Sequence, residues 1–419
     1  MLIKRRSALR GLAGAACTPF FLRGLSAEAA SANDTIVVVV GLNGGNDGLN
    51  TVIPLKQYGT YAALRSPVGS GGSIAYAQAQ LALTAFDPSP ATPVSSATQF
   101  AFAPSMTAMR QLYGTGKLAV INGIGLPAAE LAPQSHFNGW SDWSTGHVNV
   151  SAASIPSGWL SAALSSQPTG PLGATASVAG AELVASSTAS EGLVLYSPSS
   201  FNLNVPYYIP QFNLGEAFQK MLSVKPTTDA AAGARTVTNA TLNAVGAMQS
   251  FASLASDYPT QLSDLGRQFH AITQMIMGRS GIRGYVAVSY GYDTHSGQSN
   301  IHPGLVQDLG TSLQQFYTYL QSKKLSQNVV IVTISDFGRT PSANFSLGTD
   351  HGSASVAFVL GDRVKGGVYG DYPSLTNFDA TGNLAVNVDF RNMLSDIIVS
   401  MGGNATTVLG QTYPKLGFI

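Results

Sequence analysis

Four short polar segments carry the residue types that could do chemistry. The first is GLNGGNDGLNTVIPL, residues 41–55, with Asp47 among four glycines. Glycines let a chain turn tightly and approach a ligand closely. The Asp47 carboxylate would suit a hard metal ion, or would fold back on its own loop as an Asx-turn. The second is NGIGLPAAELAPQSHFNGWSDWSTG, residues 122–146, with Ser135 and His136 followed by Phe137, Trp140 and Trp143. Ser135 would serve as a nucleophile if a cation lowered its hydroxyl pKa, or as the cap of a helix starting at His136. The two roles are compatible, because a helix N-terminus also favours a bound phosphate or sulfate. The third is SYGYDTHSGQ, residues 289–298. Asp293 and His295 stand two apart, so an extended chain puts both on one side. Carboxylate plus imidazole is a usual zinc or iron pair, and equally a hydrogen-bonded pair in a loop. His302 follows seven residues on as an outer partner. The fourth, SDFGRTPSANFSLGTDHGSAS at residues 335–355, is the densest polar stretch, with Asp336, Arg339, Asp350 and His351. Arg339 would clamp an oxyacid through its planar fork, or neutralise Asp336. Asp350 and His351 would give an orienting carboxylate and a metal ligand. His147 and His270 carry no such pattern and read as surface or structural residues.

These segments need elements to hold them, and each follows an expected strand. TIVVVV at 35–40 is a short β-branched run, read as a buried strand of a parallel sheet. Further strands are expected at 117–121, 285–288, 328–334 and 355–360. None alternates cleanly, as fits a sheet covered on both faces. Helices are expected at 106–113, 216–222, 236–256, 261–277 and 303–321, the last with Pro303 in its first turn. Phe390, Met393, Leu394, Ile397 and Ile398 recur at helical spacing, with Asp389 as cap and Gly402 as stop. Strands alternating with helices give an α/β fold: three layers, α/β/α, around a mainly parallel sheet. In such sheets, ligands bind beyond the carboxyl ends of the strands. Residues 66–104 and 151–200 break the rhythm and read as insertions or long loops.

Composition narrows the function classes. The chain has 419 residues, 45% of them hydrophobic and only 10% charged, with a formal charge of +1. No concentrated basic face is expected, so nucleic-acid binding is not. No stretch reaches 18 uninterrupted apolar residues, so no membrane span is expected. Residues 1–32 read as a cleaved export signal. Lys4, Arg5 and Arg6 precede a weakly apolar stretch, and Ala27-Glu28-Ala29 or Ala30-Ser31-Ala32 would be the cleavage site. The Arg5-Arg6 pair resembles a twin-arginine signal, read by the Tat export machinery. The expected location is the periplasm or outside the cell. The lone cysteine, Cys17, would leave with the signal, so residues 33–419 would have neither thiol chemistry nor a disulfide. Those residues read as a single domain with insertions.

The order GGNDGLN, QSHF with W-x-x-W-S-T-G, GYDTH-x-x-Q, SDFGRT and GTDHG resembles the exported bacterial DUF1501 family. That family in turn resembles the alkaline phosphatase/sulfatase superfamily. The resemblance implies an alkaline-phosphatase-like fold and one or two divalent ions at the sheet's carboxyl edge. It implies one ligand set of Asp47, Asp336 and the Ser135 hydroxyl, and a second of Asp293, His295 and His351. His136, His302 and Asp350 would stand behind these ligands. Phe337 occupies a place where the superfamily pattern has a histidine, so the first set would hold only oxygen donors. Such a set suits Mg²⁺ or Ca²⁺ better than zinc, while the second resembles a two-His-one-carboxylate centre, and the ions implied are Zn²⁺, Mn²⁺, Mg²⁺ or Ca²⁺. The implied activity is metal-dependent hydrolysis of phosphate or sulfate esters, with Ser135 as nucleophile and Arg339 on the oxyanion. The alternative is a non-catalytic exported binding or assembly protein on the same fold, holding a small anionic or glycan-like ligand.

Overall fold

The computed structural model describes residues 34–69, 71–90, 99–127, 135–148, 156–167, 172–187, 192–200 and 227–419, with four isolated positions between 220 and 225. The expected signal at 1–32 and most of the expected helix at 216–222 lie outside the described residues.

A nine-stranded sheet runs through the molecule. In chain order, its core is built from β1 (Ile36–Asn43), α1 (Thr107–Gly114), β2 (Leu118–Gly125), α2 (His136–Thr145), α3 (Trp159–Leu164), β3 (Thr175–Ser177) and β4 (Leu193–Val194). Next come α4 (Asp229–Phe251), α5 (Asp264–Met277), β5 (Gly284–Tyr290), α6 (Gln298–Ser322), β6 (Val329–Ser335), β7 (Ser355–Leu360), β8 (Gly367–Tyr369), β9 (Val388–Asp389) and α7 (Phe390–Ser400). The strand order is β8-β2-β7-β6-β1-β5-β3-β4, with β9 beside β2. Every pairing is parallel except those of β7, which runs against both β2 and β6. The sheet is therefore mixed and mostly parallel.

Helices cover both faces. Along β1, Val38, Val40 and Leu42 join one core with α1, α4, α5 and α6, while Val37 and Val39 join the other with α2, α3 and α7. Both faces are apolar, which explains why these strands read as unbroken β-branched runs.

Some boundaries differ from the sequence reading. Helix α6 begins at Gln298, five residues before Pro303, which lies inside it. Gly297, in the left-handed region at φ 55°, turns the chain into the helix, and the Gln298 N–H bonds the Leu347 carbonyl. Pro303 is the sixth helical residue, so the helix forgoes the bond its N–H would have made to the Ser299 carbonyl. Helix α4 lies earlier than expected, at 229–251. The two stretches read as loops also carry structure. Residues 100–102 pair with both Val52–Pro54 and 85–86 in a small separate sheet, and 175–177 and 193–194 extend the main sheet at one edge. Asp389 caps α7 as expected, its carboxylate accepting the Arg391 N–H.

Register brings the chemistry together. Leu42 pairs with Ser335 and Ser289, and Asn43 pairs with Tyr290. Strands β1, β5 and β6 thus end side by side, and their following loops rise from one edge. Among the described residues, no helix is long and apolar enough to cross a membrane.

Candidate metal centre

Asp293, three residues beyond the end of β5, is the hub. Its Oδ1 lies 3.0 Å from His295 Nε2 and 3.4 Å from His351 Nε2, and its Oδ2 lies 3.4 Å from His136 Nε2. Three imidazoles from three segments thus turn the same ring nitrogen toward one carboxylate. His295 Nε2 and His351 Nε2 are 3.1 Å apart. His136, Asp293 and His351 each offer a donor atom within 4.8 Å of the others.

The outer nitrogens are held as well. His136 Nδ1 bonds Asp336 Oδ2 at 2.6 Å, and His295 Nδ1 bonds Asp350 Oδ1 at 2.9 Å. A carboxylate behind an imidazole fixes its tautomer and aims the opposite nitrogen, as it does for metal-bound histidines. Asp336 is buried and also accepts the Gly44 N–H. Burial pushes its pKa up, against the bonds from His136 and Gly44. Asp350 is exposed, and the bond from His295 holds its carboxyl below the usual carboxylate value. Burial raises Asp293, but the donated bond and charge of Arg339, with His295 and His136, outweigh it and leave the pKa lowered. Phe337 packs against the rings of His136 and His351, with centroids 4.8 and 4.4 Å away. It walls the cluster where the sequence suggested only a lost ligand.

The donor set fits a divalent ion. Asp293 Oδ1, His295 Nε2 and His351 Nε2 form a triangle with sides of 3.0, 3.1 and 3.4 Å. Donors ~2.1 Å from one tetrahedral ion stand about 3.4 Å apart.

Three expected site residues have other surroundings. Asp47 caps the short helix at 48–51, accepting the Leu49 and Asn50 N–H groups. Its Oδ1 also meets Arg65 Nη2 at 2.6 Å, and its Oδ2 accepts from Gln298 Nε2 at 2.5 Å. Asp47 thus takes the turn role weighed for it, reinforced by a buried ion pair that no local pattern shows. Arg339 is not open to a ligand. Its Nε bonds the Gly45 carbonyl and its Nη1 the Thr349 carbonyl, while Nη2 reaches the Gly44 and Tyr292 carbonyls and Asp293. The fork expected to clamp an oxyacid is turned inward, where it laces three loops together. His302 is buried away from the cluster and bonds Asn46 Oδ1 through Nε2 at 3.1 Å.

Ser135 stands at the N-cap of α2 and makes no side-chain capping bond. Ser135 is half-buried and immediately precedes His136 at the helix start. His147 and His270 bond backbone carbonyls, those of Val408 and Ala255.

Sequence reasoning gave His136 only an outer place and assigned nothing to Gln298. The signal for His136 was its position in the first turn of an expected helix, which aims it at the sheet's edge. Gln298 closes the GYDTH-x-x-Q segment. Its Oε1 accepts from Thr294 Oγ1 at 3.0 Å and Thr349 Oγ1 at 2.8 Å, joining the two loops that carry Asp293, His295 and His351.

Residues 34–413 match the family described as "Protein of unknown function (DUF1501)". The chain belongs to the DUF1501 family. No curated protein matches its sequence. Solved structures that resemble this DUF1501 protein include a member of the alkaline phosphatase superfamily from Vibrio parahaemolyticus. That likeness has 9% identity and a TM-score of 0.37, over 93% of this chain and 78% of the other. The alkaline phosphatase of the Antarctic bacterium TAB5 gives 12% identity and a TM-score of 0.33, over 91% of this chain and 100% of the other. The PsFucS1 sulfatase from Pseudoalteromonas sp. gives 13% and 0.33, over 85% and 68%.

Proposed function

We propose that this DUF1501 protein is an exported, metal-dependent hydrolase of phosphate or sulfate esters. The observation that carries the reading is the convergence of His136, His295 and His351 Nε2 on Asp293, with Asp336 and Asp350 behind two of the rings. These four central residues would hold a divalent ion, Zn²⁺ or Mn²⁺ suiting the nitrogen-rich set. When bound, such an ion supplies Lewis-acid polarisation of an ester's non-bridging oxygen.

The chain's own groups supply the rest. Ser135 is the nucleophile of the proposal, beside His136 and free of capping duty. The first N–H groups of α2 point out of the same helix end and favour an anionic ester there. Asp336 and Asp350 hold the imidazoles in one orientation. Arg339 keeps Asp293 ionised and fixes its loop.

Turnover of 4-nitrophenyl phosphate and 4-nitrophenyl sulfate tests this, with Zn²⁺, Mn²⁺, Mg²⁺ or Ca²⁺ added. The expected result is metal-dependent hydrolysis that a chelator removes and that both His351→Ala and Ser135→Ala abolish with the fold intact. Full activity in Ser135→Ala would remove the serine from the reaction and leave direct attack by water.

One observation favours the second reading, a binding protein without turnover. The inward-facing Arg339 leaves no cationic fork for transition-state charge at the place expected. Binding of inorganic phosphate or sulfate by the metal-loaded protein, with no ester cleaved, is its expected signature.

A further inference from the structure

We infer that the centre around Asp293 holds a single divalent ion, because the guanidinium of Arg65 already fills the cation's place beside Asp47. The inference rests on the metal-dependent reading above.

The argument is one of donors and charge. Asp47, at the edge of β1, β5 and β6, is buried and faces a fully buried Arg65. Four donors occupy its two oxygens: Arg65 Nη2, the Leu49 and Asn50 N–H groups, and Gln298 Nε2. The other end of Arg65 is anchored too, with Nη1 bonding the Thr340 carbonyl at 3.3 Å. A guanidinium neutralises one carboxylate completely. A divalent ion placed at the same oxygens would meet that buried positive charge at close range in a low-dielectric setting, and would compete with Arg65, Leu49 and Asn50 for Oδ1 or with Gln298 for Oδ2.

Asp336 supplies no second site either. Both its oxygens accept the Gly44 N–H, and Oδ2 also holds His136 Nδ1. Once Asp47 and Asp336 are so engaged, the described donors left at this edge are His136, Asp293, His295 and His351. They surround one carboxylate and make one ligand set.

Asp47 then has a different task. Through Gln298 it reaches Thr294 and Thr349, the residues next to Asp293 and Asp350. Asp47, Arg65 and Gln298 are positioning residues that clip the two ligand-bearing loops to the loop after β1.

Metal stoichiometry tests this without reference to activity. The full protein is dialysed against Zn²⁺, or against Mn²⁺, and desalted. Bound ions are then counted per chain by native and elemental mass spectrometry. One ion per chain is expected, lost in His351→Ala and still one in Asp47→Asn. Two ions per chain in the wild type, falling to one in Asp47→Asn, would overturn the inference and leave the metal-dependent hydrolase standing. No ion in the wild type would overturn both. The wild-type count decides alone if Asp47→Asn folds poorly.

Discussion

Burial sets the charge of His302. It lies beneath the loop after β1, bonded to Asn46, and burial pushes its imidazole down to about 4 from an ordinary 6.5. The folded protein therefore holds it neutral at pH 7. As pH falls below 6.5 the unfolded chain takes up the proton first, so stability drops and goes on dropping until the folded group also titrates near 4. The loss across that window amounts to about 3 kcal/mol at most. Urea unfolding at pH 7.5 and pH 5 should show it, and His302→Gln should lose less stability between the two. An equal loss in that variant would place the sensitivity elsewhere. Asp350 acts in the same direction at lower pH. Its lowered pKa adds stability above the ordinary carboxylate range that is lost as pH falls through its folded value.

Helix α2 delivers two site residues, and its seat against the sheet edge is tight. A methyl group at Gly139 would stand 2.3 Å from the Asp336 carbonyl and 3.1 Å from the Phe337 ring. The helix backbone therefore rests directly on the segment after β6, and that contact lets His136 reach Asp336. Gly139→Ala should raise helix propensity by roughly 1 kcal/mol, yet overpack this contact at a cost of about 1–3 kcal/mol. The expected net result is a less stable protein whose metal binding is weakened, measured by denaturation and by ion count. A more stable variant with unchanged metal binding would show that α2 is not seated as described. The same tightness explains Phe337: its ring fills the space between the glycine-rich loop, α2 and the two imidazoles.

Across the molecule, Leu416–Ile419 ties one helical layer down. Asp396, in the middle of α7, accepts the Leu416 and Gly417 N–H groups, and Lys365 N–H bonds the Phe418 carbonyl. The Phe418 side chain is fully buried in the core formed by α2, α3 and α7. Phe418→Ala should destabilise the protein by about 3–5 kcal/mol, read as a lower urea midpoint. The site lies beyond the carboxyl ends of β1, β5 and β6, whereas Phe418 bonds Lys365 just after β7, whose end pairs with the start of β6, so one ion per chain should still bind wherever the variant remains folded. A midpoint unchanged from wild type would mean that this segment is not part of the core.

The sequence by itself determined the layered α/β architecture. Runs such as Ile36–Val40 and Val329–Ile334 are β-branched and apolar on both sides, and only a sheet covered on both faces buries them. It also marked Asp293, His295 and His351, because scarce polar residues gathered just after those strands. Tertiary structure decided the rest. The antiparallel course of β7 and the three-residue strand at 175–177 follow from hydrogen-bond direction and neighbours, which leave no periodicity to read. The fate of Asp47 depended on Arg65, 18 residues away, and on Gln298, 251 residues away. The part of His136 depended on how closely α2 could approach Asp336. A residue type fixes which bonds a side chain is able to make, but only the folded chain fixes which partner arrives.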